Sequence, residues 1–326
     1  MNTIRRRLLQ TFAAALPAAT LGTKAFADSA AYPAKLVKLY VPFGPGSGSD
    51  VYARYFGKKL SERIGQTIVV ENKPGGGGAI AVQSTKSVPA DGSIILLGSN
   101  SPMAVNVSVY KELAYDPLRD VLPICGLTRS MAVIVVPADS PIKSVQDLVA
   151  RGKQAPMLNM GTYSAGYQLA VAPFLEKAGF KWQDVPYKGL SQTTSDVIGN
   201  QLDVAVIDTP GTVQIIKSGK VRAIAVTGTQ RHPEMPEIPT LVEEGYADAV
   251  HYSWTSLWVK AGTPKNIIDT LSKNMLEILN EPESRQFVLN SSGEIMPFGP
   301  EEMKAFQKEE IARFSRAVET LNFERV

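Results

Sequence analysis

The sequence predicts an α/β protein of two similar lobes, each a mostly parallel or mixed sheet flanked by helices, with crossover strands as the hinge. Three observations predict it. A strand, Gly-rich loop and helix recur as a unit; the units fall into two sets; and no stretch between the sets has the composition of a flexible linker.

In chain order, the apolar run from Leu36 to Val41 reads as the first strand. GPGSGSD (44–50) follows as a glycine-dense turn, with Ser47 and Asp50 spaced to cap a helix. Tyr52, Phe56, Leu60 and Ile64 then recur every four residues, and Gly65 stops that helix. QTIVVEN predicts a second strand, KPGGGGAIAVQSTKSV a Gly-rich start to a second helix, PADG a turn and SIILLG a third strand. MAVIVVP (131–137) begins the second set, and Ser144 with Asp147 caps its first helix. Further strands are expected near 157–160, 185–187, 204–207 and 221–226. The last portion is helical, with starts at Thr263-Pro264 and Gly299-Pro300, since proline suits a first turn. The expected organisation is therefore residues 28–128 with 252–326 as one lobe and 129–251 as the other. The pattern alone also suits a two-domain enzyme.

Residues 1–27 read as a cleaved export signal: a basic start, MNTIRRRLLQ, a short apolar core, and Ala25-Phe26-Ala27 as the cleavage site. Arg5-Arg6 faintly resembles a twin-arginine signal, but an ordinary secretory signal fits better. Cleavage after Ala27 removes four of the 34 basic residues and none of the 31 acidic ones, leaving a net charge of −1. That balance gives no long-range field for nucleic acid or an anionic membrane. The lone Cys125 forms no internal disulfide and lies too far in for lipid attachment, which suits a soluble bacterial periplasmic protein. Two domains are expected for the 299 residues that remain.

The chemistry of GPGSGSD narrows by elimination. Ser49 stands where a dinucleotide loop needs its last glycine, and no Gly-Lys-Ser/Thr ending marks a phosphate-binding loop. Ser164, in TYSAGY, lacks the glycine frame of a nucleophile elbow. His232 and His251 are the only histidines, far from each other and from Cys125, so neither a catalytic base nor a zinc motif is indicated. A small anion remains, held by backbone N–H groups at a helix start. Ser99 and Asn100, ending the third strand, share that edge of the sheet.

Six stretches in order carry a family resemblance: VPFGPGSGSDVYARYFGKKL, VVENKPGGGGAIA, PADGSIILLG, VPYKG with DVIGNQLDVAVID, RAIAVTGTQRHPEMPEIPTLVEEGY and LWVKAGTP. Together they resemble the Bug (TctC-type) extracytoplasmic receptors of tripartite tricarboxylate transporters, over nearly the whole chain after residue 27. The resemblance implies a Venus-flytrap periplasmic-binding-protein fold, no enzymatic activity, no cofactor, and a small carboxylate between the lobes. It implies a monomer that meets transporter membrane subunits, with a two-component sensor as the alternative and a periplasmic hydrolase as a weaker one. The implied ligand positions in the first lobe are Phe43, Gly44, Gly46, Ser47 and Gly48. In the second they are Gly161, Thr162, Tyr163, Ser164, Ala165 and Gly166, with Tyr187, Lys188 and Asp208. The chain departs from many members in having Tyr163, Tyr167 and Gln168, and no histidine, around the second loop, which implies a bulkier, more aromatic distal pocket.

Overall fold

The computed structural model describes residues 36–291, 293–320 and 323–325; the expected export signal lies outside them. Strand β1 (Val37–Val41), helix α1 (Gly48–Ile64), β2 (Ile68–Asn72), α2 (Ala79–Lys86) and β3 (Ile94–Ser99) open the first lobe. A wide helical turn at Ser101–Val105 and the short α3 (Asn106–Val109) then lead to β4 (Val121–Pro137). The second lobe carries α4 (Val145–Gly152), β5 (Asn159–Thr162), α5 (Ala165–Ala178), β6 (Gln183–Pro186) and α6 (Leu190–Ile198). It ends with β7 (Val204–Asp208), α7 (Val213–Lys217) and β8 (Val221–Val226). Strand β9 (Tyr252–Lys260) brings the chain back, followed by α8 (Lys265–Asn280), α9 (Pro282–Asn290), β10 (Gly293–Ile295) and α10 (Pro300–Thr320).

One strand joins the lobes. The first part of β4 pairs antiparallel with β9 and β10, and its last part with β7 and β8. Around it the first lobe runs β2-β1-β3-β9-β4 and the second β4-β7-β5-β6. β1 pairs in parallel with β2 and β3, as does β5 with β6 and β7, so each lobe has a parallel portion covered by helices.

Period-two alternation covers both faces of the first sheet. Leu39, Val41, Ile95 and Leu97 join one core under α1 and α8. Tyr40 and Leu96 point the other way, into a core with Met103, Trp254, Trp258 and Phe314. The second lobe has its own core, centred on Val133–Val136, Phe174 and Val204–Ile207.

Several sequence expectations need correcting. β4 begins ten residues before Met131, because register shifts between Pro123 and Cys125 and between Gly126 and Thr128 break the alternation that marks a strand. β5 lies two residues later than expected, and β6 starts earlier, at Gln183. Pro264 caps α8 from outside, whereas Pro300 does open α10. The turn at Ser101–Val105, α3, α9 and β10 were not anticipated.

A Cβ on Gly98, in β3, would collide with the indole of the buried Trp258 and lie 2.8 Å from Met103 Cγ. Gly98→Ala should therefore cost about 1–3 kcal/mol of stability, read as a lowered urea midpoint with unchanged slope.

Both histidines are buried. Burial pushes His251 down to about 3, with the Arg313 charge adding to it, and His232 down to about 4. The unfolded chain takes up protons near pH 6.5 that the native state refuses, so stability present above that pH is lost as pH falls. Each histidine contributes a slope of up to about 1.4 kcal/mol per pH unit. Urea titrations at several pH values between 6.5 and 4 should show a shallower slope for His251→Phe than for the parent; equal slopes would refute this.

Candidate functional site

The loop after β1 is built around two short side chains. Ser47 caps α1, accepting the Asp50 N–H at 3.3 Å while its hydroxyl donates to the Gly44 carbonyl at 2.8 Å. The buried Asp50 carboxylate accepts from Gly46 N–H at 3.0 Å, Arg54 Nε at 2.9 Å and Asn72 Nδ2 at 2.9 Å. Burial pushes that carboxyl up, but Arg54 and the hydrogen bonds from Gly46 and Asn72 outweigh it, so it lies below the ordinary value. Asn72 also donates to the Phe43 carbonyl at 2.8 Å, tying the loop to β2. Asp50 thus steadies the helix start, as its spacing from Ser47 predicts.

The expected backbone grip is largely engaged within the protein. Gly46 N–H is held by Asp50, and Ser47 N–H reaches the Gly44 carbonyl at 3.3 Å. Gly48 N–H donates across the cleft to the carboxylate of Asp208, at the end of β7. The other Asp208 oxygen accepts from Tyr163 OH, which lies 3.0 Å from Tyr167 OH. Burial drives the Asp208 carboxyl up; the Tyr163 hydroxyl and Gly48 N–H pull it down without cancelling that effect. Burial and the Asp208 charge together raise the Tyr163 phenol well above its usual value.

These contacts describe closed lobes. Phe43 meets Tyr163 edge-to-face at 5.3 Å, and Ser191 Oγ donates to the Pro45 carbonyl at 3.0 Å. Such close approach requires glycine: a Cβ on Gly48 would collide with the Asp208 carboxylate, one on Gly166 would lie 2.8 Å from Asn100 Nδ2, and one on Gly211 would collide with the Gly46 carbonyl.

Between the lobes remains a cavity of about 20 Å³, room for one water-sized group. No lysine, arginine or histidine lines it. Three buried polar atoms on its wall, Tyr52 OH, Ser99 Oγ and Asn100 Nδ2, have no hydrogen-bond partner among the described residues. Buried polar atoms are normally satisfied, so the lack of partners singles out this wall of the cavity.

Of the expected residues, Phe43, Gly48, Ser99, Asn100, Ser164 and Asp208 line this cavity, with Tyr163 behind Asp208. Gly44, Gly46 and Ser47 form the loop beneath. Gly161 packs against Leu202, the Thr162 carbonyl accepts the Tyr187 N–H at 2.8 Å, and Ala165 lies against the first lobe's core. Tyr187 turns away, its hydroxyl donating to Asp196 at 2.5 Å, and Lys188 is exposed; neither lines the cavity. Sequence reading missed Ser49, Tyr52 and Ser101, and also Ser130, Ser253 and Thr255 from the crossing strands. Tyr52 was legible only as part of an apolar helix face, and the three on β4 and β9 gave no signal. Among the described residues no group of three or more His, Cys, Asp or Glu side chains could hold a metal, and no helix is long and apolar enough to cross a membrane.

Comparison with known proteins agrees with this geometry. Residues 52–323 match the family described as Tripartite tricarboxylate transporter family receptor. A Pseudomonas sp. (strain P51) protein, the UPF0065 protein in the tcbD-tcbE intergenic region, is 30% identical over 97% of this chain and 94% of its own. Among solved structures, R. palustris Rpa4515 with adipate has a TM-score of 0.86 at 29% identity, covering 89% of this chain and 98% of that one. The periplasmic binding protein BugD has a TM-score of 0.85 at 29% identity, covering 90% and 99%. Sequence and fold together therefore show that this chain belongs to the tripartite tricarboxylate transporter receptor family.

Proposed function

We propose that the protein captures a small organic carboxylate between its lobes in the periplasm and presents it to the membrane subunits of a tripartite tricarboxylate transporter. In this reading residues 1–27 direct export, residues 28–128 with 252–326 form one lobe and 129–251 the other, and the receptor acts as a monomer. The observation that carries it is the Asp208 carboxylate seated on the Gly48 N–H at the α1 start. The protein's own side chain stands where a ligand carboxylate would sit, and the helix N-terminus favours that charge.

When the lobes part, Asp208 leaves with β7 and exposes this N–H to a ligand. A carboxylate bound there gains charge-assisted hydrogen bonds of about 1.5–3 kcal/mol each, and the helix start adds about 0.3–1 kcal/mol. Ser99, Asn100 and Tyr52 then supply donors to the rest of the molecule, and Phe43, Tyr163 and Tyr167 bound it with rings. Two or three such bonds per lobe are enough for roughly micromolar affinity. Closure is a population shift, driven by contacts that exist only when both lobes meet the ligand.

The similarity to a protein bearing adipate puts that dicarboxylate first in a thermal-shift panel of mono-, di- and tricarboxylates. At least one member should stabilise the folded protein strongly, by about 2.7 kcal/mol at a hundredfold excess over its Kd. A folded protein that no carboxylate stabilises would contradict the reading.

Gly48→Ala provides a second test, because the added methyl meets Asp208 only when the lobes are closed. Calorimetry should show the panel's best ligand binding about tenfold more weakly or worse, while secondary structure by circular dichroism stays intact. Undiminished affinity would place the ligand elsewhere.

A further inference from the structure

The crossing strands have a second face. In the β4–β9 pair Thr128 lies opposite Thr255 and Ser130 opposite Ser253, and Ser130, Ser253 and Thr255 look into the cleft. Side chains alternate across a strand. Arg129, opposite Trp254, and Tyr252, opposite Met131, therefore belong to the other side. On that side lies a groove of about 530 Å³. Its remaining walls come from Ile295, Met296 and Phe298 after β10, and from Phe306, Glu310 and Arg313 on α10. Val250, on the segment leaving the second lobe, also lines it.

The floor is aromatic: Phe306 meets Trp254 at 5.4 Å and Phe298 at 5.5 Å between ring centres. Its polar groups are few and ordered. Trp254 Nε1 donates to Glu310 at 2.8 Å, and Arg313 binds the same carboxylate through Nε and Nη2 at 2.7 and 2.9 Å. Arg129 lies over the Tyr252 ring at 5.3 Å and grips Glu294 through the same two nitrogens. Each acid is thus matched by an arginine, and the Nη1 group of each arginine lies outside these pairs. The two arginine side chains are 51% and 42% exposed. A mostly apolar, aromatic concavity of this size with a few convergent polar groups has the form of a small-molecule site rather than a protein interface. Guanidinium donors select a carboxylate.

We propose that this groove is a second small-molecule site, separate from the cleft, for an amphipathic organic anion. An aromatic or branched apolar body rests on Trp254, Phe298 and Phe306, and its single carboxylate meets Arg129 or Arg313. Because the same two strands wall both cavities, bending them to close the cleft reshapes the groove. Occupancy of one site is then linked to occupancy of the other, reciprocally.

The probe is 4-fluorophenylacetate, followed by fluorine NMR against the whole chain after residue 27, with 4-fluorobenzylamine as the cationic control. The anion should bind both the parent and Gly48→Ala, the two affinities differing only by the coupling through the hinge. It should bind about tenfold more weakly to Arg129→Gln/Arg313→Gln, and not at all to Ile295→Trp, which fills the groove. The amine should not bind. Should the double variant fail to fold, Arg129→Gln alone removes an exposed charge and should still weaken binding. No binding to the parent at roughly 10 mM, binding lost in Gly48→Ala yet kept in Ile295→Trp, or equal binding of the amine would each overturn the proposal.

Discussion

The pairing of β4 with β9 is the constraint on which the rest of the molecule depends. β4 is 17 residues long and belongs to both lobes: it pairs with β9 from Val121 to Met131 and with β7 and β8 from Ala132 onward. Its irregularities flank the crossing, next to Pro123 and Gly126 in the first lobe and between Ile134 and Val135 in the second, so the segment from Thr128 to Met131 crosses in regular register. A regular antiparallel pair bends as a unit and keeps its hydrogen bonds while the lobes move. Thr128 and Thr255 reinforce the crossing with a hydroxyl hydrogen bond at 2.8 Å beneath the cleft. Thr227, whose hydroxyl donates to the His251 carbonyl at 2.8 Å and accepts the Ala132 N–H at 2.9 Å, ties the returning chain to the second lobe.

Electrostatics in the cleft follow from what is missing as well as from what is present. The lining residues bring one acid, Asp208, and no base. A buried carboxylate is costly unless hydrogen-bonded; Tyr163 OH, on the same lobe, meets part of that need, and Gly48 N–H adds to it only while the lobes touch. Asp208 therefore favours closure by itself. Asp50 plays a different part: Arg54 and two hydrogen-bonding neighbours compensate it wholly within the first lobe, so it stays ionised whichever way the lobes move. Two aspartates near one loop are thereby divided between holding the loop and closing on it.

Much of this was legible in the sequence, and the parts that were not share a physical cause. Repeating strand–loop–helix units gave the two-lobed architecture, and Ser47 with Asp50 gave the α1 cap. What composition and spacing could not supply was anything depending on two distant segments meeting. The Gly48 N–H looked free to hold a ligand because nothing near it in sequence requires it; its partner lies 160 residues away. Tyr187 and Lys188 seemed placed for the cleft, but Asp196, on the adjacent helix, draws the Tyr187 ring aside. Ser130, Ser253 and Thr255 gave no signal, since a short polar side chain on a strand reads the same whether it faces solvent or a ligand. Strand bulges hid the start of β4 by disturbing the very periodicity by which strands are recognised.

A cleft without cations also constrains how such a receptor can discriminate and release. A lysine or arginine would attract any carboxylate from a distance and hold it in the open state. Neutral donors act only at hydrogen-bonding range, so most of the binding free energy appears on closure, when Phe43 meets Tyr163 and the donors of both lobes converge. Discrimination then rests on whether the ligand's body lets the rings and the glycine contacts at Gly48 and Gly166 come together. In the proposed function release is the same step reversed: as the lobes part, the second lobe's contacts are lost and the carboxylate is left on a few hydrogen bonds open to water. In the proposed function capture and delivery are in this way set by one equilibrium, that of the β4–β9 hinge.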